Sequence, residues 1–165
     1  MKISDVKSNH IQPFEMDGVK LIRLFSFFLH SAPTIDSATA ANIEPIRLEH
    51  NWNAFISEIP NDKYEIIAPN CSIEKYLGKY GLNDDATICR RTKGFVCKRK
   101  DKNEKDYECV LRHIRNAIAH SNVYMQNVGN RKYVIFEDFN KSKKQSSIML
   151  FSQADLSRLK KIIMT

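Results

Sequence analysis

The chain has 165 residues, of which 42% are apolar, and a formal net charge of +7. A chain of this size and apolar content is expected to fold as one domain, residues 1–165, around its own core. Its most apolar stretch, VKLIRLFSFFLH at 19–30, contains Lys20 and Arg23 and is too short to cross a bilayer. The segment MKISDVKSNH at its start lacks the apolar part of a signal peptide. These features exclude the usual membrane and secreted classes, and we expect a cytoplasmic protein.

The cysteines show no metal or redox motif. They stand at positions 71, 89, 97 and 109, and no two of them have C-x-x-C spacing. A zinc knuckle or a redox pair is therefore not expected, and in a cytoplasmic protein these thiols are expected to stay reduced. The histidines and carboxylates also lack ligand spacing, so the sequence predicts neither a metal nor another cofactor.

A first helix is predicted from Met16 to Leu29. In this span Val19, Ile22 and Leu29 recur at helical spacing, and the segment SAPT ends the pattern. The density of apolar residues predicts a deeply buried helix. The polar segment TIDSATAAN that follows, from Thr34, is expected to form a loop or a short helix.

A second helix is predicted from about Pro45, which suits a first-turn position, to Pro60. Its inward residues are predicted to be Ile46, Trp52, Phe55, Ile56 and Ile59. The next segment, KYEIIAP, fits a short strand or an extended connection. Ser72 then caps a short helix that ends at Gly81, and residues 83–105 are expected to begin as a helix and end as a loop.

A concentrated basic segment lies between residues 90 and 105. It holds eight basic residues against Asp101 and Glu104, and eight minus two leaves +6 of the net +7 in this segment alone. Such a stretch suits a phosphate backbone, because binding there releases counterions. A solvated basic loop is an equally open interpretation. Its position directly before the clearest helix of the chain favours the first reading.

That clearest helix spans Asp106 to Asn122, with Asp106 and Glu108 in the first turn, where they complement the helix dipole. Beyond it the periodicity changes to that of strands. A hairpin is predicted at about 123–151, turning at Gly129 and Asn130, with SSIMLF as a third strand.

A closing helix is predicted at about 152–164. Ser152 and Asp155 have the spacing of a capping box at its start. The residues predicted to face inward are Leu156, Leu159, Ile162 and Ile163. With helices up to about 122, the expected fold class is mainly α, a helical bundle with a small antiparallel sheet before the C-terminal helix.

The helix within LRHIRNAIAHSNVY has two faces of different character. Side chains placed 100° apart put one set on one side: Val110, Leu111, Ile114, Ala117, Ile118 and Ser121. The other side carries Arg112, His113, Arg115, Asn116, Ala119 and His120. The apolar side is enough to dock the helix, so packing does not require the residues opposite.

The polar side is unusual for a solvated surface, which would carry Lys, Glu and Gln. Arg112, Asn116 and His120 follow one another at four-residue spacing, with Arg115 beside them. Arginine offers forked donors that match phosphate oxygens, and histidine titrates near neutral pH. This face is therefore predicted to contact phosphate.

The segment RNAIAH, Arg115 to His120, resembles the signature of HEPN domains, an Arg followed by a polar residue, three further residues and a His. HEPN domains are small helical bundles that often act as metal-independent endoribonucleases. The hairpin and final helix resemble small HEPN nucleases with toxin or phage-defence roles, and this likeness covers about Asp106 to the C-terminus. In HEPN toxins paired with a nucleotidyltransferase antitoxin, a Tyr stands two residues after the His. Here that position is Asn122, and the nearest Tyr is Tyr124.

The resemblance implies that Arg115, Asn116 and His120 are catalytic. RNA carries its own nucleophile, the ribose 2′-OH, so cleavage needs proton transfer and charge stabilisation. We hypothesise His120 as general base or acid and Arg115 as the group that neutralises the phosphorane. Asn116 would orient the His120 ring or a phosphate oxygen. One helix offers one such His, and HEPN domains commonly dimerise with two motifs facing one cleft. The expected partners are RNA, a second copy, and an antitoxin or regulatory protein.

The residues expected to bind RNA around this site are Arg112, His113, Lys98, Arg99 and Lys100. A noncatalytic HEPN-like module that binds RNA or a protein through the same polar face is the alternative function. In that case alanine substitutions weaken binding, and no cleaved product appears. A DNA-binding helix pair ranks third, because no turn joins two short consecutive helices.

Overall fold

The computed structural model describes residues 1–32 and 44–165. The TIDSATAAN segment, expected to be a loop or short helix, lies outside the described residues. Six α-helices are described: α1 Ile3–Lys7, α2 Val19–Ser26, α3 Pro45–Ile56, α4 Glu74–Leu77, α5 Asp106–Ala119 and α6 Gln153–Met164. A π-helical turn, Phe27–Ser31, continues α2, and a 3-10 turn covers Asn61–Lys63. Within the described part of the chain, no helix has the length and hydropathy needed to cross a membrane.

The six strands are β1 His10–Ile11, β2 Tyr64–Ile67, β3 Gly94–Lys98, β4 Val123–Val128, β5 Arg131–Phe139 and β6 Gln145–Ser152. They form one sheet in the order β1-β4-β5-β6-β3-β2. Its neighbours are antiparallel except for β2 and β3, which run parallel. The prediction of a mainly α bundle is therefore wrong, since the chain is an α/β fold built on a six-stranded mixed sheet.

The strands that the sequence did not predict have physical reasons for being missed. The segment predicted as a helix and then a basic loop contains β3, whose Phe95, Val96 and Cys97 are fully buried between β6 and β2. A strand buried on both faces is a continuous apolar run without alternation, and a run this short has no distinctive period. β1 has only two residues and is stabilised by pairing with β4, in which Ile11 lies opposite Val123.

The sheet is buried on both faces. On one face Phe136 and Phe151 pack into a core with α2, α3, α5 and α6. On the other face Ile135 and Leu150 pack against α1 and the segment 71–88. Successive residues of a strand point to opposite faces. The neighbours Phe136 and Glu137 therefore lie on different sides of the sheet.

Helix α2 begins later than the predicted Met16, and α3 ends earlier than the predicted Pro60. Two of the residues predicted to lie in their core face solvent. Val19 is 64% exposed and Ile46 is 84% exposed, because each lies in the first turn of its helix, outside the core. The π-helical turn after α2 adds one residue per turn and brings both Phe27 and Phe28 inward. The rest of α3 packs as predicted through Trp52, which is 2% exposed.

The C-terminal elements follow the prediction closely. The β4–β5 hairpin turns at Gly129, which has φ of +62°, and Asn130. Asp155 N–H donates to Ser152 Oγ over 3.1 Å, and Ser152 N–H donates to Asp155 Oδ2 over 2.9 Å. This reciprocal pair is the predicted capping box. The inward residues of α6 are buried as predicted: Leu156, Leu159, Ile162 and Ile163.

A close approach of two backbones at Gly94 makes this residue a sensitive test of the β2–β3 pairing. A Cβ at Gly94 would lie 2.1 Å from the Lys63 carbonyl oxygen, in the turn before β2. Because that oxygen belongs to the backbone, the Gly94→Ala variant must separate the strands. We expect the free energy of unfolding to fall by about 1–3 kcal/mol, the usual cost of forcing extra atoms into a packed site, measured by urea denaturation.

The matched control is Gly78→Ala. A Cβ at Gly78 has no neighbour within 4 Å, and this residue has helical φ and ψ at the end of α4. Alanine there is expected to leave stability unchanged or raise it by about 0.4–1 kcal/mol. Equal urea midpoints for the two variants would contradict the strand arrangement described here.

Candidate functional site

Helix α5 presents its apolar side to the helical core, as predicted. Leu111, Ile114 and Ala117 are fully buried, and Ile118 is 2% exposed. The first two turns of the helix lie close to β3, and its length packs along β5 and the π-helical turn. The C-terminal end of α5 is the part that reaches solvent, since Ala119 and His120 are exposed.

His113 does not lie on an exposed face, contrary to the prediction. Its side chain is 1% exposed. Its Nδ1 is 2.8 Å from Asp138 Oδ2, and its Nε2 is 2.8 Å from the Lys98 carbonyl oxygen. Asp138 belongs to β5 and Lys98 to β3, so the ring joins α5 to two strands of the sheet. In this arrangement His113 has no nitrogen free for RNA.

The Arg112 side chain is likewise bonded within the protein. Its Nε donates to Glu104 Oε2 over 2.7 Å, and its Nη2 donates to Glu104 Oε1 over 3.0 Å and to the Lys98 carbonyl over 3.2 Å. Burial acts to raise the pKa of Glu104, but the Arg112 guanidinium and the Lys100 N–H outweigh it and lower that pKa. A forked pair of this kind fixes the loop before α5. Arg112 is therefore a structural residue here.

Asn116 connects the proposed catalytic arginine to the same network. Its Nδ2 donates to Asp138 Oδ2 over 3.1 Å, and its Oδ1 accepts from Arg115 Nη1 over 3.4 Å. Burial acts to raise the pKa of Asp138, but hydrogen bonds from His113 and Asn116 and the His113 charge lower it below its usual value. Asn116 is thus held on one side by a carboxylate and holds Arg115 on the other.

His120 is positioned by the way α5 ends. The Asn122 N–H donates to the Ala117 carbonyl over 2.8 Å, and the Ser121 N–H donates to the Ile118 carbonyl over 3.2 Å. This is a Schellman motif with a left-handed residue after the cap, here Ser121 with φ of +57°. The backbone of His120 is therefore fixed, while its side chain projects from the end of the helix.

A second histidine lies beside this helix end, although the sequence pattern gave it no role. His10 Nε2 bonds to the Ser121 carbonyl oxygen, and the His10 ring packs edge-on against Tyr124 at 5.6 Å between centroids. The pairing of β1 with β4 brings His10 here from the far N-terminus. Tyr124 packs with the second core, on the face of the sheet opposite α5.

Asp138 and Glu104 are functional neighbours that the sequence reasoning also missed. Each is nearly buried, at 3% and 6% exposure. Asp138 is far in sequence from His113 and Asn116, whereas Glu104 belongs to the loop just before the helix that carries Arg112. One signal was present for Asp138, which follows the apolar run YVIF in a predicted strand. A carboxylate at the end of such a run requires a buried partner.

The basic segment is not one loop. The central strand β3 separates Arg90 and Arg91 from the residues that begin at Lys98. Arg99 donates to the Glu104 carbonyl and to Asp106 Oδ1. Lys98 is half-buried, and only Lys100 of the three predicted RNA contacts here has an exposed side chain without a hydrogen bond to the described chain.

Two of the four thiols are buried and stay protonated. All four cysteines are free. Burial raises the pKa of Cys97 to about 12 and also raises that of Cys109, so neither is a thiolate at neutral pH. Over residues 1–32 and 44–165, no group of three or more His, Cys, Asp or Glu side chains is arranged to hold a metal ion.

The class of the protein follows from a comparison with family models, which identifies a HEPN domain. The family model described as HEPN pEK499 p136 matches residues 13–163, and the chain belongs to that family. The match therefore extends well beyond the part from Asp106 onward on which the sequence resemblance rested. No curated protein and no solved structure matches the chain.

Proposed function

We propose that this protein is a metal-independent endoribonuclease that cleaves RNA by attack of the ribose 2′-OH, with Arg115, Asn116 and His120 as its catalytic residues. The observation that carries the proposal is the end of α5 in a HEPN-family chain. There an exposed imidazole, that of His120, lies five residues after Arg115, whose guanidinium is bonded to a buried network. As in the family resemblance, a toxin or phage-defence role is proposed with it.

His120 transfers the proton in this scheme. As general base it takes the proton from the 2′-OH, whose oxygen attacks the adjacent phosphorus. As general acid it gives a proton to the departing 5′-oxygen. Five residues along a helix cover about 7.5 Å of its axis, and in this proposal the side chains of Arg115 and His120 contact the same phosphodiester group. The products are a 2′,3′-cyclic phosphate and a free 5′-hydroxyl.

Arg115 stabilises the negative charge that develops on phosphorus. Its Nη1 is held by Asn116, and its Nε is buried without a hydrogen-bond partner in the described chain. Asn116 therefore supports Arg115 rather than the His120 ring, which differs from the role that the sequence suggested. Asp138 and His113 act through Asn116 and are positioning residues. Of the residues predicted to bind RNA around this site, Lys100 has the most accessible charge.

The proposed active site is shared across a dimer, because the end of α5 supplies one exposed histidine, His120, and a complete acid and base pair requires two. An excess of catalytically inactive His120→Ala chain should then lower the activity of the unaltered protein, since mixed dimers contain one His120. An excess of the Gly78→Ala chain is the control and should add activity. No inhibition by the His120→Ala chain would contradict a shared site.

The experiment that tests the chemistry uses one RNA strand with a single 2′-deoxy linkage at its main cleavage position. Without the 2′-OH there is no internal nucleophile, so we expect no cleavage at that linkage in chelator, while neighbouring linkages remain sensitive. Cleavage at the deoxy linkage, or activity that appears only on addition of a metal ion, would contradict the mechanism. RNA binding without any product would favour the noncatalytic module instead.

A further inference from the structure

Two neighbouring pockets lined by basic side chains lie at the turn of the β4–β5 hairpin. The first, with a volume of about 380 Å³, is lined by Arg90 and Arg131 and by the turn itself. The second, of about 260 Å³, shares Arg131 with the first and adds Lys20 and Lys132, together with the first turn of α6. Among their described lining residues there is no acidic side chain.

A third pocket continues the line between α2 and α6. It has a volume of about 290 Å³, shares Lys20 with the second pocket, and is lined by Arg23, Lys160 and Lys161. We call the three pockets together the basic groove. Its second and third pockets lie in the helical layer that also contains α5, and its first pocket lies at the hairpin turn beside Arg90. The groove is separate from the loop between Lys98 and Lys105.

The cations of the basic groove have no counterions among the described residues. None of the ion pairs formed within residues 1–32 and 44–165 involves any of them. The acidic residues nearest in sequence do not neutralise them: Asp155 pairs with Lys93, and Asp17 is exposed and unpaired. A row of like charges costs folding free energy, which indicates that its counter-charge comes from a ligand.

The N-terminus of α2 adds to this positive potential. Its first turn contains no acidic residue, and its cap, Gly18, has no side chain. The Lys132 ammonium lies 3.7 Å from the point that a Cβ on Gly18 would occupy. A lysine is the least favourable partner for the positive end of a helix dipole. The Ser157 hydroxyl in the third pocket is also buried, with no hydrogen-bond partner in the described part of the chain.

We propose that the basic groove binds the phosphate backbone of single-stranded RNA outside the cleavage site. Three joined pockets fit successive phosphates of one strand better than one small anion, which would occupy a single pocket. β4 has six residues, so about 17 Å of strand separates the hairpin turn from the end of α5 at 3.3 Å per residue. The groove would therefore hold RNA several nucleotides away from His120. The choice of RNA as ligand rests on the proposed function.

The test compares two triple variants, both in a His120→Ala background that leaves RNA uncut. One is Lys20→Gln, Arg131→Gln and Lys132→Gln. The control, with the same loss of three charges, is Lys75→Gln, Lys79→Gln and Lys141→Gln, at exposed positions outside the groove. Binding of a labelled 20-nucleotide RNA is measured by fluorescence anisotropy over a range of salt, with polyglutamate as a competing anion.

We expect the groove variant to bind RNA at least tenfold more weakly than its parent, and the slope of log affinity against log salt to decrease by about 2, since each phosphate contact contributes about 0.7. The control should lose less than about threefold in affinity. Equal losses in both variants, no loss in the groove variant, or groove-dependent binding of polyglutamate in preference to RNA would overturn the inference.

Cleavage separates this inference from the proposed function. With His120 intact, the groove variant should cut a dinucleotide as fast as the unaltered protein, because the single phosphate of a dinucleotide occupies the cleavage site. If the protein never cuts RNA but binds it through the basic groove, the proposed ribonuclease function is refuted and the proposed role of the groove is retained. Cleavage of long RNA at an unchanged KM by the groove variant would refute the groove and leave the ribonuclease.

Discussion

Replacing His120 by alanine is expected to lower the rate of RNA cleavage by about 10²–10⁴-fold, the usual contribution of a general acid or base. Arg115→Ala is expected to cost about 10²–10³-fold, because it removes a donor aimed at developing charge. Both losses should be in kcat. The measurement is the initial rate of cleavage of a labelled RNA at saturating substrate.

Neither substitution should affect the fold. The His120 side chain is exposed and makes no hydrogen bond to the described chain, and Arg115 makes one long side-chain bond, to Asn116. Their urea midpoints should therefore match that of the unaltered protein. The matched control is His50→Ala, another exposed histidine, which should retain full activity.

The proposed toxin role predicts that expression of the chain arrests growth and that His120→Ala relieves the arrest. Full activity in the His120→Ala variant would remove the proposed mechanism.

The largest effect on stability is expected at Asp138. The Asp138→Ala variant leaves His113 Nδ1 and Asn116 Nδ2 without acceptors in a nearly dry site. Breaking a buried charged pair by removing one partner costs about 3–5 kcal/mol, and we expect a loss near 3 kcal/mol in the free energy of unfolding. The exposed control, Asp85→Ala, should change it by less than about 0.5 kcal/mol. Equal urea midpoints would show that the network does not stabilise the fold.

The same carboxylate predicts a pH dependence. The pKa of Asp138 is lowered in the folded protein, so its ionised form stabilises the fold above its unfolded pKa of about 3.9. This contribution is lost as the pH falls below about 4 and through the folded value. The unaltered protein should therefore lose stability on acidification in this window, and Asp138→Asn should show a shallower loss. Glu104 acts in the same direction, since its pKa is also lowered.

The C-terminal third of the fold was predictable because its signals are local. A capping box at Ser152, a Gly-Asn turn and the period of α5 each depend on residues within a few positions of one another. The sheet was not predictable in the same way. β2 lies within KYEIIAP, which fitted a short strand or an extended connection. β1 and β3 were missed because they are short and acquire their stability from partners distant in sequence, and pairing of this kind leaves no period in the chain.

In the candidate site, too, the features that depend on local sequence were predicted and the contacts between distant residues were not. The motif correctly separated the buried side of α5 from Arg115 and His120 at its end. The prediction also put Arg112 and His113 on the exposed face. Helical periodicity gives the direction of a side chain around the helix axis, but it does not show which other element packs against that side. Glu104 and Asp138 lie outside α5 and bond to Arg112 and His113, so both of these side chains are held inside the protein. His10 reaches the site through the edge strand.

The central claim is that the helix end of α5 cuts RNA through the 2′-OH, with His120 transferring the proton. Its most direct test is the chemistry of the product ends. Labelled RNA is incubated in chelator with the unaltered protein and, in parallel, with His120→Ala, and the ends are identified by mass spectrometry. The mechanism predicts 2′,3′-cyclic phosphate and 5′-hydroxyl ends with the first protein and no products with the second. Products with 5′-phosphate ends, or the same products from both proteins, would contradict it.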